Sequence, residues 1–508
     1  MNININPKIL LFSTEKNKYI FDNVSGNIIP HTEEIFFTIN NFLKLSKSQL
    51  IHDLKEKFNI NDIESENVYL YINNLVHNGC FFCNSTHRDI DCKEESFKTP
   101  ISQLILVLTE QCNIRCKYCI YSEHYPNIME YSNESMDFET AKLAIDQYMN
   151  LYNEKKKYGY RKKAIVSFYG GEPFLKFDLI KEVIDYCNTK GYDVRYYATT
   201  NGTIMTDEVV ECIVNNDFIV TFSVDGHKEQ HNRNRVFAGD KGTFDLVLNN
   251  ILKLQEYKRE RNINQLITFN CTYDYYSDLN KIITFFEENY DKFDPFNVMF
   301  GPVNKLDTTY YDYCKESFNK GIIKEDINTA GKSYNELIEK LSNKDNTDCA
   351  ESRILNSFFA SLSIIKRRPR GIIELHSNAC IPSNKIAVSP KGEYYICERI
   401  NQMFKIGDIN SGIDWDRCSE LLNQYMGVLE ENCSDCNVSR LCDSCYIHFI
   451  KDDNNLEFNE EFCKEKKMVI PKTLSIIYTL LEKNPKVFEM GLDNSDQESL
   501  FEFYQVMR

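Results

Sequence analysis

The chain has 508 residues, a formal net charge of −16, 42% hydrophobic residues and 19 cysteines. That length supports two to four domains with real cores, the acidic balance excludes general nucleic-acid binding, which needs a basic face, and no apolar run reaches the length of a membrane span. The opening Met1-Asn-Ile-Asn-Ile-Asn lacks a basic-then-apolar signal pattern, so a cytoplasmic protein is expected, in which cysteines in this number argue for metal rather than disulfides.

Two β-type runs, Ile9–Ser13 and Tyr19–Asp22, precede Asn23-Val-Ser-Gly26-Asn and a further run, Ile28–Ile29, so the polar cluster is a hairpin turn. Thr32 caps a helix whose apolar residues Ile35, Phe36, Ile39, Phe42 and Leu43 keep a helical period. Ser48 starts a second helix, and a third runs from about Glu64 to His77 and stops at Gly79, a residue suited to the left-handed position past a helix end. This order over residues 1–83, with the Tyr-Ile-Phe-Asp…Ser-Gly-Asn hairpin and the Leu75-Val-His-Asn-Gly79 ending, is similar to the winged-helix-like leader-peptide recognition domain related to the pyrroloquinoline quinone biosynthesis chaperone. The resemblance implies that an edge strand takes up the leader of a precursor peptide by strand addition; a purely structural cap is the other reading. Cys80-x2-Cys83-x3-His87-x4-Cys92 follows, near a zinc-knuckle spacing but off by one and without its glycines, in a stretch whose residues 84–100 read as a linker.

From residue 101 to 303, six β-like runs alternate with helical patterns: Gln103–Leu108, Ala164–Tyr169, Val194–Thr199, Phe218–Val224, Leu266–Thr272 and Phe296–Phe300. Such alternation specifies a parallel sheet covered by helices, an α/β fold. The first run leads into Cys112-Asn-Ile-Arg-Cys116-Lys-Tyr-Cys119, three thiols in Cys-x3-Cys-x2-Cys spacing at the strand end where barrel enzymes place chemistry. Three thiolates can each take one iron of a 4Fe–4S cube and leave the fourth open; a zinc site missing a ligand is the alternative. The loop resembles the signature of the radical S-adenosylmethionine (SAM) superfamily. The resemblance implies a six-strand partial (β/α)6 barrel and SAM chelated at the open iron, which on receiving one electron yields a 5′-deoxyadenosyl radical. Gly170-Gly171-Glu172-Pro173 resembles the family's GGEP motif, whose backbone approaches a ligand while Glu172 accepts from the SAM ammonium. In related enzymes the serine and arginine matching Ser223 and Arg235 contact SAM, the arginine as a cation for its carboxylate; Tyr118 and Asn201 complete the expected cofactor contacts. His231 and Asp225 are expected to satisfy each other.

A helical, charged bridging region spans 304–375. The cysteines then crowd together: Cys380, then Gly392-x4-Cys397 on a hairpin, then Cys433-x2-Cys436-x5-Cys442-x2-Cys445-x17-Cys463. These seven, within 376–468, resemble the SPASM extension of peptide-modifying radical SAM enzymes, with one gap a residue short; a zinc ribbon is the competing reading. The resemblance implies two auxiliary 4Fe–4S clusters beside the SAM-binding one, the outer on Cys433, Cys436, Cys442 and Cys463 and the inner on Cys380, Cys397 and Cys445. Either Cys418 or Cys349 completes the inner set, or its open iron binds a substrate thiolate. Glu398 sits where some relatives place a general base, an exposed hairpin carboxylate being the alternative. The tail 469–508 reads as two helices from Pro471 on.

Together these readings resemble a maturase of ribosomally made peptides of the sactipeptide and ranthipeptide type. Such an enzyme joins a cysteine sulfur to a carbon through a thioether and takes its electrons from an external donor such as flavodoxin or ferredoxin. An anaerobic sulfatase-maturing enzyme, another radical peptide modification (C–C cross-linking or epimerisation) and a non-catalytic iron–sulfur carrier are the alternatives.

Overall fold

The computed structural model describes residues 8–82, 91–98, 103–125, 131–157, 163–303, 308–342, 354, 355, 358, 379–400 and 402–484. Cys83, His87, Cys349 and the last residues from 485 on lie outside these. The chain forms two compact units, one from residues 1–90, 360–379 and 423–485, the other from 91–359, 380–422 and 486–508.

In the first unit β1 (Ile9–Ser13), β2 (Lys18–Asp22) and β3 (Ile28–Pro30) form an antiparallel sheet in that order, with Ile9 facing Asp22 and Tyr19 facing Pro30. Three helices follow: α1 (Glu33–Asn41) capped by Thr32, α2 (Lys47–Phe58) and α3 (Asp62–His77) with an Asn61/Glu64 capping box. Each such cap contributes about 1 kcal/mol. The cap of α2 is Ser46, not the expected Ser48: the Ser46 side chain accepts the Gln49 N–H, and Ser48 is already in the first turn.

Because successive strand residues point to opposite faces, β2 divides its apolar side chains between two cores. Ile20 joins Ile29, Ile39, Ile72 and Phe81 under the helices. Phe21, with Leu10 and Phe12, packs instead on Val438, Leu441, Ile470 and Leu474. Burying each large side chain stabilises by roughly 1.5–3 kcal/mol. Thus the hairpin region and the outer cysteine segment, read from sequence as separate domains, share a core. The last helix, Glu460–Lys483, runs through Pro471 instead of starting there. The backbone bond that proline removes is offset by burial of Ile470, Leu474, Ile477 and Leu480 along one face.

The second unit is built on a ten-stranded sheet. β4 (Gln103–Thr109), β5 (Ala164–Gly170), β6 (Val194–Thr200), β7 (Phe218–Ser223), β8 (Ile267–Tyr273) and β9 (Phe296–Pro302) lie side by side in chain order, all parallel. Every residue of β4 is buried, as expected of a strand covered on both faces. Helices connect the strands, among them Phe138–Lys156 capped by Asp137, Phe177–Lys190 and Phe244–Glu260. The sheet continues beyond the six expected strands: β10 (Lys385–Val388) adds in parallel to β4, followed by antiparallel β11 (Glu393–Tyr395), β12 (Gly407–Asp408) and β13 (Gly412–Ile413). The hairpin that carries Cys397 is therefore an extension of the barrel sheet. The stretch read as a linker holds a helix, Cys92–Lys98, whose Ser96 hydroxyl lies 2.8 Å from that of Ser383. Among the described residues no helix is long and apolar enough to cross a membrane.

Candidate active site

The cysteine loop leaves the end of β4 and is held by backbone bonds on both sides. Cys119 N–H donates to the Cys116 carbonyl at 3.1 Å, while Gly171 N–H donates to Thr109 and Glu172 N–H to Gln111 at 2.8 and 2.9 Å. The Gly170-Gly171 pair exists for this approach. A side chain on Gly171 would overlap the Gln111 carbonyl and press on the Cys112 N–H, and Gly170, with φ +139°, abuts the Thr109 carbonyl. The glycines thus bring the backbone against the cysteine loop itself.

Glu172 is fully enclosed. Its carboxylate accepts the Phe174 N–H (3.1 Å), the Thr200 hydroxyl (2.8 Å) and the Asn201 N–H (2.7 Å), tying the end of β5 to the end of β6. In this structure it braces the two strand ends. Burial pushes its pKa up to about 7 against the pull of these donors. Pro173 opens the short helical turn Pro173–Lys176. Asn201 reaches back to the cysteine loop, its amide donating to Asn113 at 2.9 Å and to the Cys112 sulfur at 3.7 Å.

The three thiols interact electrostatically with one another, and burial pushes Cys112 up to about 11 and Cys116 to about 12. A metal taking thiolates here must displace those protons. Cys119 also accepts from the Tyr131 hydroxyl, a contact that nothing in the spacing signals. Tyr118 OH donates to Asp225 Oδ2 at 2.6 Å and accepts from Arg235 Nη1 at 2.8 Å. Ser223 is buried where β7 ends. The segment after it forms the helix Lys228–Asn234. His231 is indeed satisfied, but by the Asp225 backbone N–H (3.4 Å, to Nδ1) and the Thr243 hydroxyl (3.0 Å, from Nε2), and burial keeps it neutral.

On the extended part of the same sheet, Cys397 lies beside Cys380 and Glu398. The Glu398 side chain is only 9% exposed, which overturns the exposed-hairpin alternative. Its Oε2 is buried without a hydrogen-bond partner. Burial alone would raise its pKa, yet Lys385 and Arg399 overcome that and hold the carboxyl below its ordinary range. Tyr169, at the end of β5, feels the charges of both Glu398 and Cys119. Cys418 is fully buried, with its thiol beside that of Cys92.

In the first unit, Cys433, Cys436, Cys442 and Cys463 line one pocket, walled by Leu429, Phe449, Phe458 and Phe462. Cys433 feels the charges of the other three. Among the described residues no three His, Cys, Asp or Glu are grouped to hold a single metal ion. Cys445 begins a helical turn in which its N–H donates to His448 Nδ1 at 3.1 Å.

Residues 106–277, from the middle of β4 to the loop after β8, match the Radical SAM superfamily. This segment is similar to a radical SAM domain. The three thiols at its sheet end, which feel one another's charges, fit the 4Fe–4S cluster that such a domain implies. A Cys-type anaerobic sulfatase-maturating enzyme of Clostridium novyi is 31% identical over 210 residues, 40% of this chain and 52% of the relative, so the chain spans about half of that protein's length. The radical SAM cyclopropyl synthase TigE of Paramaledivibacter caminithermalis is 22% identical over 94% of this chain and 95% of its own. The structure of native anSMEcpe with bound AdoMet and Kp18Cys peptide superposes with a TM-score of 0.51 at 18% identity, over 75% of this chain and all of that one. That likeness is one of fold.

Proposed function

We propose that this chain is a radical SAM maturase of a ribosomally made peptide and that it installs a thioether on a cysteine of that peptide. The observation that carries the reading is the pocket of Cys433, Cys436, Cys442 and Cys463, a second set of cysteines beyond the three that radical SAM chemistry requires. Cys112, Cys116 and Cys119 would hold the SAM-binding cluster, with Tyr118, Gly170, Gly171, Glu172, Pro173, Asn201, Ser223 and Arg235 shaping the space for SAM. When bound, the cluster and SAM supply a carbon radical that removes a hydrogen atom from the peptide. Glu398, with its buried free Oε2, would take the proton that the cysteine gives up. The four-cysteine pocket would hold one auxiliary cluster, and Cys380 and Cys397 would serve a second. Strand β3, paired with β2 alone in its sheet, would receive the leader of the precursor by strand addition. Electrons would come from an external one-electron donor such as flavodoxin or ferredoxin.

The second reading, conversion of a sulfatase cysteine to formylglycine, is favoured by the 31% identity with the Clostridium novyi enzyme. Anaerobic reconstitution with SAM, a reductant and Cys-rich peptides encoded beside the gene, followed by mass spectrometry, separates the two. Loss of two hydrogens together with loss of cysteine alkylation supports the thioether. A formylglycine mass change assigns the sulfatase-type reaction, and deoxyadenosine with alkylable cysteines points to another peptide modification. Cys116→Ala is expected to abolish SAM cleavage; deoxyadenosine formed by that variant would refute the assignment of the first cluster.

A further inference from the structure

Arg235 lies in a segment that runs antiparallel to the cysteine loop. Ile114 bridges Phe237, and the N–H groups of Arg115 and Lys117 donate to the carbonyls of Val236 and Asn234 at 2.6 and 3.0 Å. Continued through this register, Cys116 faces Arg235 at the non-hydrogen-bonded position, where facing side chains come closest. Both are enclosed, Cys116 at 8% and Arg235 at 7% exposure. One guanidinium nitrogen, Nη1, is spent on the Tyr118 hydroxyl, which is itself anchored on Asp225. The Nε–H is buried with no partner. The residue just before Cys119 therefore tethers a cation opposite Cys116 and leaves one of its donors unused.

We propose that Arg235 sets the reduction potential of the cluster on Cys112, Cys116 and Cys119 by placing its charge against the Cys116 sulfur. It is a positioning residue, acting through a ligand of the cluster. Reduction adds one electron from the external donor and makes or breaks no bond, so the cluster gains one negative charge. A buried cation at its ligand stabilises that charge far more than one in water would. This goes beyond the carboxylate-binding role that the family resemblance implies. It rests on the part of the proposed function that puts a cluster on these three cysteines, and not on which peptide is modified.

The test is an EPR-monitored redox titration of the reconstituted full chain, with the relevant signal defined as the one SAM perturbs and Cys116→Ala lacks. Arg235→Gln is expected to move the midpoint to more negative potential, so that the reduced fraction at a fixed poise falls several-fold. Arg235→Lys, which keeps a charge but lacks the Nε–H, is expected to shift less in the same direction. A wild-type midpoint in Arg235→Gln, including the case in which only SAM affinity weakens, overturns the proposal. Should the Gln variant fail to retain iron, an unshifted midpoint in Arg235→Lys overturns it instead. Absence of any SAM-perturbed signal in the wild type would remove the cluster assignment itself, and the proposal with it.

Discussion

The side-chain oxygen of Asn23 accepts the backbone N–H of Arg440 at 2.9 Å, across 417 residues of chain. Its amide donates to the Cys436 carbonyl at 3.1 Å and the Ser439 hydroxyl at 2.8 Å. Arg440 answers by donating to the Val24 carbonyl at 2.8 Å, and its guanidinium covers Gly26 so closely that a side chain there would collide with it. The hairpin turn of the N-terminal sheet thereby braces the backbone between Cys436 and Cys442, two of the four pocket cysteines.

Asn23→Ala should therefore loosen a cysteine loop on which it has no sulfur contact. Leaving the Arg440 N–H buried without an acceptor costs about 1–3 kcal/mol. The expected outcome is lower iron content per chain and a lower melting temperature, with SAM cleavage at the first cluster retained. Iron content equal to wild type would show that the brace is dispensable.

Cys418→Ala should leave iron content unchanged. Its thiol is buried against Cys92, so its loss removes a packing contact worth about 1 kcal/mol and no ligand. Iron assay of the reconstituted variant decides this, and a loss of iron would restore Cys418 as a ligand of the inner cluster.

Gly171→Ala should disable SAM cleavage while leaving the protein folded. The added methyl cannot coexist with the Gln111 carbonyl, so the cysteine loop must shift. A displacement of about 1 Å at reacting groups costs roughly 100-fold in rate. Deoxyadenosine formation measured beside the melting temperature separates this from simple unfolding.

Lys155 is 2% exposed, and burial brings its pKa down to about 7 although it donates to Asn384 Oδ1 at 3.2 Å. A lysine depressed in the folded state binds fewer protons there than when unfolded. Its burial cost is therefore fully present below pH 7 and is relieved as pH rises from about 7 toward about 10.4, the unfolded value. Lys155→Met should be more stable than wild type at pH 7, with the difference narrowing by pH 10. Melting curves across that range check it, and a parallel offset at all pH values would contradict it.

Much of this was readable because it is local. Strand β4 announces itself in the continuous apolar run Leu104–Leu108, since a strand covered on both faces has no polar side to show. Thr32 and Asp137 cap their helices as short polar side chains before an apolar period should. The continuation of the sheet through β10 to β13 was not readable, because strands of two to four residues carry too little periodicity to predict their partner. The bracing by Glu172 was not readable either, because only the fold brings Phe174, Thr200 and Asn201 around it.

The amino-acid sequence by itself determined the order of strands and helices and the spacing of the cysteine sets. These depend on side-chain period and on residues a few positions apart, which a linear chain displays. Tertiary structure alone decided that Asn23 grips the Cys436–Cys442 loop, that Cys418 meets Cys92 and that Arg235 faces Cys116. Each of those pairs joins distant segments whose meeting is set by strand register and by which face of a sheet is buried, and neither is written in local spacing.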